Sequence, residues 1–186
     1  MSTWAWTLCM NRFCNMNTIF IGDSITPSLS LLFAEAINKG VAGDRPAQIA
    51  DRFGADVLTP FPWCVHILVG TNAPYDDDIQ VPIIQVCARA ARKKGIRVIL
   101  GKIPPRSYDI KQFNNALAVM AADDGFVLVD YYTPMCNGDG SQNTSLFSDG
   151  THPNAAGYAV MEAALLPVLN GMKSYARMLG AYGEIA

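Results

Sequence analysis

Two histidines limit where this sequence can perform acid–base chemistry near neutral pH. His66 lies inside the apolar run "VHILV" and is expected to be a hydrogen-bonded structural residue. His152 lies in "SDGTHPN", directly before a predicted helix and after a long polar loop. Asp149 can bring its carboxylate to the imidazole Nδ1–H, because Gly150 allows the intervening chain to turn tightly. That contact would leave the Nε2 atom of His152 able to accept a proton.

A serine hydroxyl becomes a good nucleophile when a neighbouring base removes its proton. Ser24 follows the apolar run in "TIFIGDSITPS", where a strand gives way to a helix. An aspartate–histidine pair directed at such a serine is the arrangement of serine hydrolases. Two other interpretations stay open: Ser24 is a turn residue, or Asp149 and Asn154 only cap the loop and the last helix.

Acyl transfer also needs hydrogen-bond donors for the negative oxygen of its intermediate. If Ser24 begins or just precedes a helix, its own N–H can serve as one donor. The N–H of Gly43, in "GVAGD", and the side-chain amide of Asn72, in "VGTNA", are further candidates. Each signal is weak alone, because glycine and asparagine are common in turns.

Alternating strand and helix patterns must position these residues. Strands are predicted at 17–21, 64–69, 97–101 and 126–130. Helices are predicted at 29–38, at 46–53, from the acidic residues 76–78 to Gly95, before Gly125, and after the polar loop 134–153. The third helix is expected to bury Ile79, Ile83, Val86, Cys87 and Ala90. The fourth and fifth are expected to bury Phe113, Leu117, Met120, Ala121, Tyr158, Met161, Leu165 and Val168.

This alternation predicts a parallel sheet covered by helices on both faces. Sites in such sheets form at the carboxyl ends of the strands. The residues just past the predicted strand ends are 22–24, 70–72 and 104–106, together with the loop that holds Asp149 and His152. We therefore expect these four segments to converge on one rim.

Composition excludes several classes of protein. The 186 residues are enough for one domain with a sizeable core, and 51% hydrophobic with 16% charged residues is typical of a compact fold. A net charge of -2 argues against a nucleic-acid binder. No apolar stretch is expected to reach the length that spans a bilayer.

The five cysteines lack the spacing of a disulfide framework or of a C-x-x-C metal site. Cys64 and Cys87 lie in apolar runs and are expected in the core. The first ten residues lack the basic start and cleavage site of a secretory signal, so a cytoplasmic location is the default expectation. The sequence leaves the oligomeric state open.

Four motifs together resemble the GDSL/SGNH hydrolase family of esterases and lipases. "GDSIT" matches its first block, "KGVAGD" its second, "VGTN" its third and "DGTHPN" its last, in the family's order. The resemblance implies an α/β fold, a three-layer α/β/α sandwich with a central, mostly parallel five-stranded sheet (SGNH/flavodoxin-like). Residues 17–170 would form the hydrolase domain, with an N-terminal extension of unknown role at 1–16 and a C-terminal tail at 171–186.

The resemblance also implies a role for each site residue. Ser24 would be the nucleophile, His152 the general base and Asp149 its orienting acid. The Ser24 N–H, the Gly43 N–H and the Asn72 side chain would form the oxyanion hole. This chemistry needs no metal or organic cofactor, and its partner is a small-molecule ester.

Only 27 positions separate Gly43 from Gly70, so no long lid is evident, and short acyl groups such as acetate on a carbohydrate are expected. Asp23 is expected to be a hydrogen-bonding residue beside the nucleophile. The residues that could line the substrate site are Asp23, Tyr75, Tyr108 and Phe147.

Other functions remain possible for this sequence. They are a lysophospholipase or thioesterase, acyl transfer to an acceptor other than water, and a non-catalytic carbohydrate-binding domain of the same fold. A metal-dependent hydrolase is a further alternative, with Asp23, Asp44, Asp149 and His152 as ligands.

Overall fold

A computed structural model describes residues 16–72, 77–107 and 109–183. Five strands form one sheet in the order β2-β1-β3-β4-β5, and every neighbouring pair is parallel. The strands are β1 (Thr18–Gly22), β2 (Ala36–Gly40), β3 (Cys64–Leu68), β4 (Arg97–Gly101) and β5 (Val127–Val129). The predicted five-stranded parallel sheet is confirmed.

Helices connect the strands. They are α1 (Thr26–Ser30), α2 (Pro46–Phe53), α3 (Asp77–Lys93), α4 (Lys111–Asp124) and α5 (Ala155–Gly183). A π-helical turn (Gly54–Leu58) continues α2, and two 3-10 turns (Thr133–Met135 and Thr144–Leu146) lie in the long loop before α5. Helix α5 continues without interruption through position 171, where the sequence predicts the start of a C-terminal tail packed on or extending the domain.

Successive strand residues point to opposite faces of the sheet and pack against different helices. Ile19 and Ile21 of β1 contact one hydrophobic cluster, which also contains the buried faces of α2, α3 and α4. Phe20 belongs to a second cluster on the other face, with residues of α1 and α5. The predicted three-layer α/β/α sandwich is confirmed.

The helix predicted at 29–38 is wrong, because the chain leaves α1 at Ser30 and forms strand β2 instead. Strand β2 lies at the edge of the sheet and carries the polar residues Asn38 and Lys39. An edge strand is half solvated, so it lacks the continuous apolar run that identifies the inner strands. Leu29 and Leu32 stand three positions apart, as on one face of a helix, but Leu32 is 39% exposed.

The interval predicted for α3 is confirmed, but the face predicted to be buried is right for Cys87 and wrong for Ile79 and Val86. Ile79 and Val86 are 55% and 66% exposed. Helix α3 has apolar residues at helical spacing on two neighbouring faces. The face that is buried is shifted by about one residue from the predicted face. The buried residues of α3 are Val81, Ile84, Cys87, Ala88 and Ala91.

The buried face of α4 is the predicted one, since Phe113, Leu117, Met120 and Ala121 all lie in the core. Gly125 ends the helix with a left-handed φ of 67°, as expected for a glycine after the last turn. Cys64 and Cys87 are buried free thiols, as predicted.

Helix α5 limits the expectation that no segment approaches the length of a membrane span, because it meets that criterion by length and composition alone. Among the residues that the structure describes, one helix, Ala155–Leu179, is long enough and apolar enough to cross a bilayer. Its mean hydropathy is 1.2. Length and composition are the only support for a span, and core helices of globular proteins meet the same criterion. Met161 and Leu165 of this helix are fully buried against the sheet.

His66 is a structural residue of the core, as its position inside a strand predicts. Its ring is fully buried, and Nε2 lies 3.0 Å from the hydroxyl of Tyr131. Phe20 packs against the ring, with 4.9 Å between the ring centroids. Burial lowers the pKa of His66 from 6.5 to about 3, because the apolar surroundings disfavour the charged imidazolium.

The buried His66 is expected to make the fold sensitive to acid. Between pH 6.5 and about 3 the unfolded chain binds a proton at His66 that the folded chain does not bind. The free energy of unfolding should therefore fall by up to about 1.4 kcal/mol for each pH unit of acidification. His66→Gln should lose this contribution, which urea unfolding of both proteins at several pH values would measure. Equal pH slopes in the two proteins would contradict the prediction.

Candidate active site

Ser24 lies in the turn between β1 and α1, one residue before the helix N-cap Ile25. The turn is tied to the neighbouring strand, because the N–H of Asp23 donates to the carbonyl of Leu68 at 3.3 Å. The N–H of Thr26 donates to the carbonyl of Asp23 at 3.1 Å and closes the turn. The half-buried Ser24 is thereby held at the carboxyl end of the sheet, where the sequence predicts it.

The structure brings Ser24, His152 and Asp149 into one hydrogen-bonded line. Ser24 Oγ lies 2.9 Å from His152 Nε2, and His152 Nδ1 lies 2.9 Å from Asp149 Oδ2. Both distances are normal for hydrogen bonds between side chains. In this geometry the imidazole can accept the serine proton while the carboxylate fixes the ring and its tautomer.

Asp149 also organises its own loop. Its Oδ1 atom accepts hydrogen bonds from the backbone N–H groups of Thr151 and His152, both at 2.7 Å. These two N–H groups and the His152 ring lower the pKa of Asp149 to about 2. Asp149 is therefore a carboxylate across the pH range in which the protein is expected to work, and it shapes the loop while it orients the base.

Asn154 caps helix α5, as one interpretation of the sequence predicts. Its Oδ1 atom accepts from the N–H groups of Ala156 and Gly157 at 3.0 and 3.1 Å. Its amide nitrogen donates to the carbonyl of Ser145 at 2.8 Å. The cap lies two residues after His152 and fixes where the helix begins, and so restricts the position of the base.

Asp23 is fully buried beneath the turn, which corrects its assignment as a substrate-binding residue. Its carboxylate accepts the N–H of Ile25 at 3.2 Å and the N–H of Thr71 at 3.3 Å. Burial raises the pKa of Asp23, and the hydrogen bonds and the charge of Arg106 oppose that rise. The hydrogen-bonding role predicted for Asp23 is the one that the structure supports.

The two other oxyanion candidates lie on neighbouring loops. Asn72 Nδ2 donates to the backbone carbonyl of Asp44 at 3.0 Å, and its amide has a second N–H. Gly43 precedes Asp44 and is exposed, with a φ of +83° that side chains rarely adopt. Arg52 holds the Asp44 carboxylate at 2.8 Å and donates to the carbonyl of Gly22. This network connects the loops after β1, β2 and β3.

The structure describes one of the three aromatic residues that were predicted at the substrate site. Phe147 is only 8% exposed and packs in the cluster between the sheet and α5, so its assignment as a substrate-binding residue is wrong. Phe147 itself forms an isolated antiparallel bridge with Pro153, which makes it part of the loop's own core. Tyr75 and Tyr108 lie outside the described residues.

The structure does not assemble the alternative metal site. Asp23 faces backbone N–H groups below the turn, and Asp44 is paired with Arg52. Within residues 16–72, 77–107 and 109–183, no three histidine, cysteine or acidic side chains form a group that could hold a metal ion. Asp149 and His152 are instead paired with each other.

Sequence reasoning missed two residues that bind the site's loops together. Arg106 donates to the backbone carbonyl of Thr71 and, at 3.1 Å, to the hydroxyl of Thr151. Gln142 Nε2 donates to the carbonyls of Pro105 and Gly150 at 2.9 and 3.3 Å. Arg106 follows a predicted strand end, which places it on the expected rim, but no spacing rule indicates its partners.

Comparison with known proteins gives the same fold. Residues 20–160 match the GDSL-like Lipase/Acylhydrolase family. A GDSL-like lipase from Bacteroides thetaiotaomicron VPI-5482 is 26% identical with a TM-score of 0.78, over 86% of this chain and 90% of that one. A catalytic mutant of an acetylxylan esterase from Geobacillus stearothermophilus is 17% identical with a TM-score of 0.71, over 83% and 94%. No curated protein matches the chain.

The family match covers the segment from β1 into α5, which contains the nucleophile turn, both donor loops and the Asp149–His152 loop. The relatives named above have the same sheet with its covering helices over most of their length. This chain is a carboxylic ester hydrolase and belongs to the GDSL-like lipase/acylhydrolase family.

Proposed function

We propose that the protein hydrolyses short-chain carboxylic esters, acetyl esters of carbohydrates among them, through an acyl-enzyme on Ser24. One observation carries the catalytic part of this proposal. It is the line of hydrogen bonds from Ser24 Oγ through the two ring nitrogens of His152 to Asp149. Such a line supplies a nucleophile, a base within reach of its proton, and an acid that orients the base.

The reaction proceeds in two steps. Ser24 Oγ attacks the ester carbonyl carbon while His152 Nε2 takes the serine proton. The carbonyl oxygen becomes negative and accepts hydrogen bonds from the N–H groups of Ser24 and Gly43 and from the amide of Asn72. Such donors contribute on the order of 3 kcal/mol each. The C–O bond to the alcohol then breaks, and His152 returns its proton to the leaving oxygen.

Water completes the cycle. His152 removes a proton from a water molecule, whose oxygen attacks the acyl carbon. The bond from the acyl carbon to Ser24 Oγ then breaks, and His152 returns the proton to Oγ, which frees the acid and restores the enzyme. Asp149 stays ionised throughout, because the surrounding N–H groups lower its pKa to about 2. It therefore stabilises the imidazolium that forms in both steps without taking the proton itself.

The openness of the site supports a small acyl group. The side chains of His152 and Asp149 are 42% and 58% exposed. Between Gly43 and Gly70 the chain is occupied by α2, the π-helical turn and β3, which leaves no segment long enough for a lid. A cavity of about 550 Å³ lies beside Thr18 and Ala36, at the starts of β1 and β2. That is the opposite end of the sheet from Ser24, so this cavity does not serve as an acyl pocket.

Acetylated carbohydrates are the first natural substrates to examine. An open site accommodates an ester on a bulky alcohol, because the alcohol can extend into solvent. The acetylxylan esterase named above shares the fold, and at 17% identity it makes acetylated xylan a reasonable choice for assay rather than an assignment.

A series of p-nitrophenyl esters from acetate to palmitate tests the proposed acyl specificity. We expect kcat/KM to be highest for acetate or butyrate and to be lower by about tenfold or more for octanoate, since a solvent-exposed site gains little from a longer acyl chain. Ser24→Ala, assayed in parallel, gives the background rate. Release of acetate from acetylated xylo-oligosaccharides then tests the alcohol part.

A higher kcat/KM for the long chains would overturn the small-acyl proposal and favour the lysophospholipase or thioesterase alternative. If acetate esters are hydrolysed but no acetate is released from sugars, the proposed esterase activity holds and the proposal of a carbohydrate substrate fails. The Ser24→Ala background separates both outcomes from spontaneous hydrolysis.

A further inference from the structure

The loop that follows β4 contacts the two loops that must cooperate in the reaction. Arg106 donates from Nη1 to the backbone carbonyl of Thr71, the residue before Asn72. It donates from Nη2 to the hydroxyl of Thr151, the residue before His152. One guanidinium therefore connects the loop of a predicted oxyanion donor with the loop of the predicted base.

The backbone N–H and the backbone carbonyl of Thr71 are both hydrogen-bonded to side chains from other loops. Thr71 is 1% exposed, and its N–H donates to the buried carboxylate of Asp23 at 3.3 Å. Its carbonyl oxygen accepts from Arg106. Asp23 directly precedes Ser24, so this chain of contacts runs from the nucleophile turn through Thr71 and Arg106 to Thr151. Ser24, Asn72 and His152 each lie next to one of these residues.

Further contacts of the loop after β4 hold the tight loop that carries His152. The N–H of Ser107 donates to the carbonyl of Gly150 at 3.3 Å. Gln142 donates to both Pro105 and Gly150, at 2.9 and 3.3 Å. Gly150 lies between Asp149 and His152. The segment 105–107 is therefore attached to the tight loop through several bonds, of which Arg106 makes the one nearest to the base.

We infer that Arg106 is a positioning residue that fixes the distance between the oxyanion donor Asn72 and the base His152. The inference rests on the proposed function, because it assigns Arg106 a role in the reaction of Ser24. A guanidinium suits this task, since its planar N–H groups reach two acceptors at once in a fixed geometry. A lysine ammonium is a single point charge on a flexible stem, and it cannot bridge both loops in the same way.

The test compares Arg106→Ala and Arg106→Lys with the unchanged protein on p-nitrophenyl acetate. We expect both variants to lower kcat by about 10- to 100-fold, the effect of a misplacement near 1 Å, while KM changes less than about threefold. The rate at which a fluorophosphonate labels Ser24 should fall in parallel, because that reaction needs the same base and donors. Guanidinium ions at millimolar concentration should restore part of the activity of Arg106→Ala and none of that of Arg106→Lys.

A second variant measures the coupling to the base. Thr151→Val removes one acceptor of Arg106 while the backbone N–H that binds Asp149 remains. We expect a smaller loss of kcat in Thr151→Val than in Arg106→Ala, and little further loss when the two changes are combined. Fully additive losses would overturn the inference, since they would show that the two side chains act independently. If Arg106→Ala unfolds, Arg106→Lys takes its place in this comparison and in the combined variant.

Arg89→Ala is the matched control. Arg89 likewise holds a partner through its guanidinium, the Asp124 carboxylate at 2.8 Å, but it lies near the end of α3, away from Ser24. Its kcat should equal that of the unchanged protein. A rise in KM without a fall in kcat in Arg106→Ala would overturn the inference and make Arg106 a substrate-binding residue. Ser24→Ala distinguishes the two proposals: if it stays active, the proposed function fails, whereas if it is inactive and Arg106→Ala retains full kcat, only the role of Arg106 fails.

Discussion

Ser24→Ala is expected to lower kcat for ester hydrolysis by about 10⁴- to 10⁶-fold, the range seen when a nucleophile or its base is removed from a serine hydrolase. Without Oγ there is no atom to form the acyl-enzyme, and His152 Nε2 loses its partner at 2.9 Å. The remaining activity would come from the oxyanion donors and from binding alone. The initial rate of p-nitrophenyl acetate hydrolysis, measured with enough enzyme to detect a 10⁶-fold loss, checks this expectation.

His152→Ala provides the second arm of the same experiment. Since nucleophile and base act as a unit, the loss in His152→Ala should be similar to the loss in Ser24→Ala, and the double variant should lose little more. Each variant should unfold at a temperature close to that of the unchanged protein, because Ser24 is half-buried and the His152 side chain is 42% exposed. Full esterase activity in either single variant would remove the proposed mechanism.

Gly22→Ala is expected to have the largest effect on stability. Gly22 ends β1, and an added Cβ atom would overlap the backbone carbonyl oxygen of Leu68 and the hydroxyl of Thr26. A backbone atom in the centre of the sheet cannot move aside without breaking the pairing of β1 with β3. We expect a loss of about 3 kcal/mol or more in the free energy of unfolding, at the upper end for an overpacked site.

Gly54→Ala is the matched control for that substitution. Gly54 has a helical φ of -58°, and an added Cβ would meet no atom within 4 Å. Alanine there should leave stability unchanged or increase it by about 0.5 to 1 kcal/mol, because glycine loses more freedom on folding. Urea unfolding of the two variants and the unchanged protein measures both effects. A Gly22→Ala protein as stable as the Gly54→Ala protein would contradict the prediction.

The inner strands and the site loops could be predicted because each leaves a strong local pattern. The apolar run 64–69 is visible since both faces of β3 are covered. Ser24 stands where polar residues end such a run, and His152 stands where a long polar loop meets a helix. Strand β2 left no such pattern, because one of its edges faces solvent and its side chains are half exposed. Local spacing therefore favoured a helix, and the pairing with β1 decided the outcome.

The burial of Asp23 and Phe147 could not be predicted from spacing. Each is polar or aromatic and lies beside a motif, so the sequence alone allows a place on the site's surface. Their environment is created by distant parts of the chain: Thr71 for Asp23, and α5 for Phe147. The contacts of Arg106 have the same origin, since its acceptors lie 35 and 45 positions away.

The strand order has a consequence for the way the substrate reaches Ser24. After β1 the chain passes to the face of the sheet that α5 covers, whereas after β3 it passes to the face that α2 and α4 cover. The connections diverge between these two neighbouring strands, at the topological switch point of the sheet, and a crevice opens there without any residue being displaced. Ser24 follows β1 on one side of this crevice, and Asn72 follows β3 on the other side. The sequence and length of the loops on either side can therefore change to admit another ester. The backbone pairing that holds the nucleophile stays the same.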